Sequence, residues 1–214
     1  MSKINYIKLY LSLYFHDHGF IRFFYRNFHT IDTNVYRSSQ PSPHDLKKIK
    51  KIGIKTIVNL RNVTGASYYL LEKEACKKYD IKIINYALKS REIPNKDELL
   101  KAEEIILNLD YPCLFHCKSG ADRAGFMSAL YFIFKKNDLQ KAKEQLSFKY
   151  GHIKKSKTGV LDLFLLEYEN FLFSNKKISF KYWLSNVYDK DKIQKKHKYS
   201  SSWDIIINYI LHRE

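Results

Sequence analysis

The chain is short of cysteine, of acidic residues and of long apolar runs, and each shortage closes off a class of protein. Three cysteines in 214 residues supply no disulfide framework, and their scarcity suits a reducing compartment. Cys113 and Cys117 lie four apart on one extended stretch. They face the same way but sit about 13 Å apart at about 3.3 Å per residue, and cannot pair without local unfolding. Cys113 and Cys76 read as core residues. The N-terminal run MSKINYIKLYLSLYF is interrupted by Asn5, Lys8 and Ser12. It is too short to span a bilayer and no small-residue cleavage site follows it. A cytoplasmic location is therefore expected, with attachment to the inner face of a membrane left open. Acidic residues number 22 against 38 basic ones, a formal charge of +16. That balance favours anionic partners, among them phosphorylated molecules and an anionic membrane surface. A composition rich in Lys, Ile, Asn and Tyr accounts for the charge equally well. No basic stretch has the form of a nucleic-acid module, so nucleic acid is not an expected partner. The eight histidines are scattered, His16 and His18 have no partners at ligand spacing, and neither a metal nor a cofactor is expected. No internal repeat is present, and a monomer is expected.

What remains is a soluble chain, 45% hydrophobic and 28% charged, long enough for one well-buried domain. Residues 1–28 carry Tyr6, Leu9, Tyr10, Leu13 and Tyr14 among Lys3, Lys8, Arg22 and Arg26, either a helix packed on the domain or an interfacial amphipathic one. Residues 29–173 alternate strand and helix signals. Val35-Tyr36-Arg37 reads as an edge strand. Ser42-Pro43-His44-Asp45 opens a helix with an N-cap, a proline at the first position and an acid three after the cap, and Gly53 ends it. Ile54–Leu60 is a buried strand ending at Arg61. A helix follows with Tyr68, Leu71, Ala75 and Tyr79 inward, then a strand over Ile81–Leu88. Asn95 with Glu98 caps the next helix, faced by Leu99, Ala102, Ile106 and Leu109. Helices over Asp138–Phe148 and Thr158–Phe173 close the domain. Residues 174–214 form a basic helical extension packed on it, with Lys176, Lys177 and Lys181 on a solvated side and Trp183 and Trp203–Leu211 docking. The alternation predicts an α/β fold with a mainly parallel central sheet of four to five strands flanked by helices. Sites in such sheets lie beyond the carboxyl ends of the strands, where Arg61, Ser90-Arg91-Glu92 and the Cys117 loop all fall.

The sequence concentrates its chemistry in residues 111–125, YPCLFHCKSGADRAG. A short apolar strand, Cys113 to His116, breaks into a loop that opens a helix near Asp122. Met127, Leu130, Tyr131 and Phe134 give that helix one buried stripe. A strand–loop–helix turns successive backbone N–H groups into a concavity at a helix N-terminus, where an anion is favoured. The same dipole favours a thiolate at Cys117, and the Arg123 guanidinium matches two oxygens of a phosphate.

HCKSGADRAG resembles the Cys-x5-Arg phosphatase superfamily, whose loop reads His-Cys-x-x-Gly-x-x-Arg; His116, Cys117, Gly120 and Arg123 all match. YRSSQPSPHDLKKIKKIGIKTIVNLR is similar to the opening of atypical dual-specificity phosphatases. With FKYGHIKKSKTGVLDLFLLEY, the chain over residues 30–173 looks most like a bacterial family of tyrosine phosphatase-like proteins. The resemblance implies the cysteine phosphatase fold, a phosphocysteine intermediate and no cofactor. It implies Cys117 as nucleophile, and Arg123 with the loop N–H groups (His116, Lys118, Ser119, Gly120, Ala121) around the phosphate; Arg61, placed at the same strand ends, is a further candidate for binding it. Two departures stand out. Ala124 occupies the place where many members carry Ser or Thr, which puts the second step on Ser119 or slows it. The upstream loop Ser90–Pro94 has no Asp, so the general acid is either Asp122, as in myotubularin-type loops, or Glu92. Lys118 follows the nucleophile as in lipid phosphatases, while Ala121 stands where some of those carry a second Lys. Phosphotyrosine or dual-specificity protein substrates, phospholipid, phosphoinositide or lipid-linked phosphate substrates, and a non-catalytic phosphate-binding module all stay open.

Overall fold

The computed structural model describes residues 3–62, 65–175 and 178–199. The chain falls into two compact units, one made of the chain up to Ala87 together with Asp110–Gly120, the other of Leu88–Leu109 together with the chain from Ala121 onward.

The first unit holds the whole sheet: β1 (His29–Asp32), β2 (Val35–Ser38), β3 (Thr56–Asn59), β4 (Lys82–Asn85) and β5 (Cys113–His116), in the order β1-β2-β5-β3-β4. β1 pairs antiparallel with β2, and the other pairings are parallel. The fold class is α/β with a mainly parallel sheet, as the alternation of signals predicts. Two details differ from the sequence reading. β2 is an inner strand, because β1, a half-exposed HTID segment, covers it. The edge on the other side is β4, shorter than the Ile81–Leu88 reading and exposed at both ends. The centre, β3 and β5, is buried at every position, as a parallel strand covered on both faces must be.

Its helices are α1 (Lys3–Leu11), α2 (Gly19–Phe24), α3 (Pro43–Lys51) and α4 (Ser67–Lys78). Between α1 and α2, residues Ser12–His16 form a π-helical turn that runs straight on from α1. This stretch buries Leu13 and leaves Ile7, Leu11 and Phe15 exposed, each four residues from the last. α3 starts at the expected capping box, in which Ser42 accepts from the Asp45 N–H and the Asp45 carboxylate accepts from the Ser42 N–H. Leu46 and Ile49 of α3, Ala75 and Cys76 of α4, Ile57 of β3 and Leu114 of β5 form one apolar cluster. Burying such side chains at about 25 cal/mol per Å² is what fixes the helices on the sheet.

The second unit is helical: α5 (Lys96–Leu107), α6 (Asp122–Lys136), α7 (Leu139–Glu144), α8 (Val160–Ser174), α9 (Phe180–Asn186) and α10 (Lys190–Lys196). The Asn95–Glu98 capping box opens α5 as read. α6 is buried beyond the one stripe read from the sequence: residues 122–133 are buried without exception. α7 stops at Glu144, four residues short of the reading, and a 3-10 turn, Phe148–Tyr150, follows it. Phe164 of α8 meets Phe180 and Trp183 of α9 and Tyr188 edge-on, at centroid separations of 6.0, 5.5 and 5.5 Å. That aromatic nest docks the segment after residue 178. The expected docking of Trp203–Leu211, and Lys176 and Lys177, lie outside the described residues. Among the described residues no helix is long and apolar enough to cross a membrane.

Candidate active site

Parallel register sets the site. Ser38 of β2, His116 of β5, Asn59 of β3 and Asn85 of β4 stand level, so the residues just after them emerge along one edge of the sheet. Cys117 leaves β5 there, flanked by Ser39-Gln40 after β2 and Leu60-Arg61 after β3.

The first half of the loop, Cys117–Gly120, is held from outside by three donors. The Gln40 N–H donates to the Lys118 carbonyl at 3.2 Å, the Asn27 amide to that of Ser119 at 2.9 Å, and Arg37 Nη2 to that of Gly120 at 2.8 Å. In a trans peptide the N–H points opposite to the C=O. Three successive carbonyls fixed outward therefore turn the N–H groups of Ser119, Gly120 and Ala121 to the other side, which is the geometry of an anion nest. The Gly120 N–H accordingly reaches Cys117 Sγ at 3.2 Å. Gly120 has φ +75°, and a Cβ there would stand 2.6 Å from the Ser38 carbonyl carbon and the Ser39 nitrogen. Only glycine meets both conditions. His29 Nε2 lies 2.9 Å from Asn27 Oδ1 and orients that amide. Arg37 is wholly buried, and its hydrogen bond to the Gly120 carbonyl gives that charge a partner within an inner strand.

Just before Cys117, His116 Nε2 lies 2.7 Å from Glu72 Oε1, and both side chains are completely buried. Burial pushes the Cys76 thiol upward, with the Glu72 charge adding to it, so Cys76 is an inert core thiol.

Arg61 is likewise completely buried. It holds Asp17 with both terminal nitrogens, Nη2 to Oδ1 at 2.7 Å and Nη1 to Oδ2 at 3.0 Å, while its guanidinium carbon lies 3.5 Å from the centre of the Tyr68 ring. Arg22 Nη2 donates to the same carboxylate at 2.6 Å, and Lys118 Nζ approaches it to 3.9 Å. Burial pushes the Asp17 carboxyl up, but the Arg61 hydrogen bonds and the charges of Arg61, Arg22 and Lys118 outweigh it and leave the group below the usual carboxylate range.

The rest of the loop, Ala121 to Arg123, opens α6 in the second unit. Asp122 and Arg123 are both buried, 4% and 7% exposed. Asp122 Oδ1 lies 2.7 Å from Nδ1 of His152, whose Nε2 lies 2.5 Å from Asp162 Oδ2 in α8. Burial lowers the His152 pKa, but hydrogen bonds to Asp122 and Asp162 reverse that and raise it to about 9. Ala124 is buried, and its carbonyl accepts from Ser128 Oγ at 2.7 Å. Glu92 is half-exposed. The Lys89 ammonium donates to it at 2.8 Å, and that bond, with a smaller contribution from Lys190, lowers its pKa.

Sequence reasoning missed Asp17, Asn27, Arg37, Glu72, His152 and Asp162. One signal was available, since Asp17 is the sole acid in the first 31 residues. Among the described residues no group of three or more His, Cys, Asp or Glu is arranged to hold a metal ion.

The sequence profile of the tyrosine phosphatase family matches residues 24–164. The inositol diphosphatase DSP4 of Arabidopsis thaliana is 27% identical over 104 residues, 46% of this chain and 51% of that protein. The chain thus spans about half the length of such relatives. The structure of P. aeruginosa TpbA aligns with TM-score 0.52 at 15% identity, over 79% of this chain and 89% of the other. The core catalytic domain of the PP-IP phosphatase SIW14 from S. cerevisiae aligns with TM-score 0.52 at 22% identity, over 71% and 93%. At these identities the two structures speak for the fold.

Proposed function

This chain belongs to the tyrosine phosphatase family, and from that premise we propose that it hydrolyses phosphomonoesters through a phosphocysteine intermediate. The observation that carries the reading is the loop in which three outward-bonded carbonyls turn consecutive N–H groups toward the Cys117 side. In the proposed reaction the Cys117 thiolate attacks phosphorus in line. The N–H groups from Lys118 to Arg123 and the Arg123 fork take the equatorial oxygens, where charge spreads in a loose transition state. Asp122 protonates the leaving oxygen. Glu92 fits that role less well, because Lys89 and Lys190 hold it as the charged form. Water then opens the phosphocysteine. Arg61 acts through Asp17 as a brace under the loop, not as a direct ligand of the phosphate.

A phosphotyrosine or dual-specificity protein substrate suits the charge pattern, since Arg61, Arg22 and Lys118 all engage Asp17. A polyanionic substrate would draw on the same cations. The inositol diphosphatase relative favours the second reading, an inositol phosphate or phosphoinositide. Release of inorganic phosphate from phosphopeptides, phosphoinositides and inositol pyrophosphates, by wild type and Cys117→Ser, tests both. The reading expects one class to be turned over and the variant to be inert. Phosphate binding without release by the wild type would make the loop a binding module instead.

A further inference from the structure

The stretch around His152 is built more rigidly than a connecting loop requires. Gly151 takes a left-handed turn at φ +81°, and the His152 N–H donates to the Ser147 carbonyl at 3.2 Å. Ser156 Oγ donates to the Ile153 carbonyl at 2.8 Å and accepts from the Thr158 N–H at 3.2 Å. Gly159 lies so close to the Lys154 carbonyl oxygen that a Cβ would stand 1.9 Å from it. All this holds one imidazole, 1% exposed, between two carboxylates from different helices.

A neutral imidazole has one N–H and one acceptor nitrogen. Here both ring nitrogens face carboxylate oxygens, at 2.7 and 2.5 Å. Two acceptors can be satisfied only if both nitrogens carry hydrogen, or if one carboxylate is protonated. Either way Asp122, His152 and Asp162 hold one ionisable proton among them, and it titrates as a property of the group. The charged groups facing His152 are Asp122 from α6 and Asp162 from α8. Lys154, on its own loop, lies 3.4 Å from the second oxygen of Asp162.

We propose that His152 is a positioning residue that holds the proton for general-acid catalysis and delivers it through Asp122, with Asp162 fixing its tautomer. The inference rests on the phosphatase reading above. His152 Nδ1–H first passes its proton to Asp122, which becomes the carboxylic acid while the ring becomes neutral and its Nε2–H still donates to Asp162. As the P–O bond to the leaving group breaks, its electron pair stays on the leaving oxygen, which takes that same proton and leaves Asp122 a carboxylate. In the second step the attacking water loses a proton to the same pair. The S–P bond breaks with its electrons returning to Cys117 as thiolate, and His152 is charged again. This explains how a carboxyl in the nucleophile's own loop acts as an acid at neutral pH, where a lone carboxyl would already be ionised.

The test is kcat/KM over a series of substituted phenyl phosphates, from 4-nitrophenyl to 4-methylphenyl, for wild type, Cys117→Ser, His152→Gln and Asp162→Asn, with a thermal melt of each. kcat/KM reports the phosphoryl-transfer step, and a positioned acid contributes typically 10²–10⁴-fold. Wild type should depend weakly on the leaving group. His152→Gln should fall less than about threefold on the 4-nitrophenyl ester, whose leaving group needs no proton, and on the order of 100-fold on the 4-methylphenyl ester. Asp162→Asn, which keeps the shape, should move the basic limb of the kcat/KM–pH profile to lower pH. The same fall on every ester, or no fall, in a folded His152→Gln overturns the inference. Should that variant not fold, an unmoved basic limb in Asp162→Asn does so. Inactivity of wild type on all esters, or activity in Cys117→Ser, sinks the phosphatase reading itself and the inference with it.

Discussion

Raising the pH should unlock the Asp122–His152–Asp162 brace, and the size of the effect follows from the structure. His152 ordinarily titrates at 6.5, and its two carboxylate partners raise that to about 9 in the folded chain. Unfolding breaks both contacts and returns the ring to its ordinary value. A group whose folded pKa lies above its unfolded one stabilises the fold fully below the unfolded pKa. That contribution is lost as pH rises through the folded pKa. The window is therefore pH 6.5 to about 9. At about 1.4 kcal/mol per pH unit the gap corresponds to about 3 kcal/mol. For a chain of this size that is roughly 6–12 °C in Tm. Other groups titrate near the upper end of the window, so the quantity to measure is a difference. Urea unfolding of wild type and His152→Gln should be followed from pH 6 to pH 10. The stability gap between them should shrink by about 3 kcal/mol across that range, with most of the loss above pH 6.5. A gap that stays constant to within about 0.5 kcal/mol, or widens with pH, refutes the imidazolium.

Two further perturbations probe the loop and its brace. Gly120→Ala combines a left-handed φ with a Cβ 2.6 Å from the backbone at Ser38-Ser39. It should cost about 3 kcal/mol in urea unfolding and lower kcat/KM by more than tenfold, whereas a variant as stable as wild type would mean the approach to β2 is slack. Asp17→Asn removes the charge that faces the buried Arg61 and should cost about 3 kcal/mol. The depressed Asp17 pKa adds a sign: its contribution is present above the ordinary carboxylate value and lost as pH falls through the folded one. The wild-type–variant gap should therefore close on acidification, and a gap independent of pH below 5 contradicts the ion pair.

The parts of this protein legible in the sequence are those whose cause is local. Both capping boxes, Ser42 with Asp45 and Asn95 with Glu98, were readable because the partners are three residues apart. So was the strand–loop–helix around Cys117, since spacing and glycine placement carry its chemistry. The failures share a different cause. Arg37 made β2 read as an edge, because a charge in a strand normally faces water; its partner, the Gly120 carbonyl, is 83 residues away. β1 was missed because four residues of mixed polarity, half-exposed at the sheet margin, leave no alternation to read. The apolar stripe on α6 was real, but a stripe does not reveal that the polar side, Asp122 and Arg123 included, is buried as well. Asp17 with Arg61, Glu72 with His116 and Asp122 with His152 join residues 44, 44 and 30 positions apart. Arg61, His116 and Asp122 stand out in the sequence, but their partners Asp17, Glu72 and His152 look, taken singly, like ordinary surface residues.

The proposed reaction depends on Cys117 as the nucleophile that takes the phosphoryl group, and the most direct measurement is to catch it there. Wild type and Cys117→Ser should be mixed with a substrate that the phosphate-release panel identifies, quenched in acid within milliseconds, digested and examined by mass spectrometry. The account predicts a peptide spanning Cys117 that carries one phosphoryl group in the wild type, with early quench times showing its rise and decay. The same peptide from the variant should yield no adduct that turns over. A phosphoryl group trapped on another residue, or phosphate release at wild-type rate from Cys117→Ser, would contradict it.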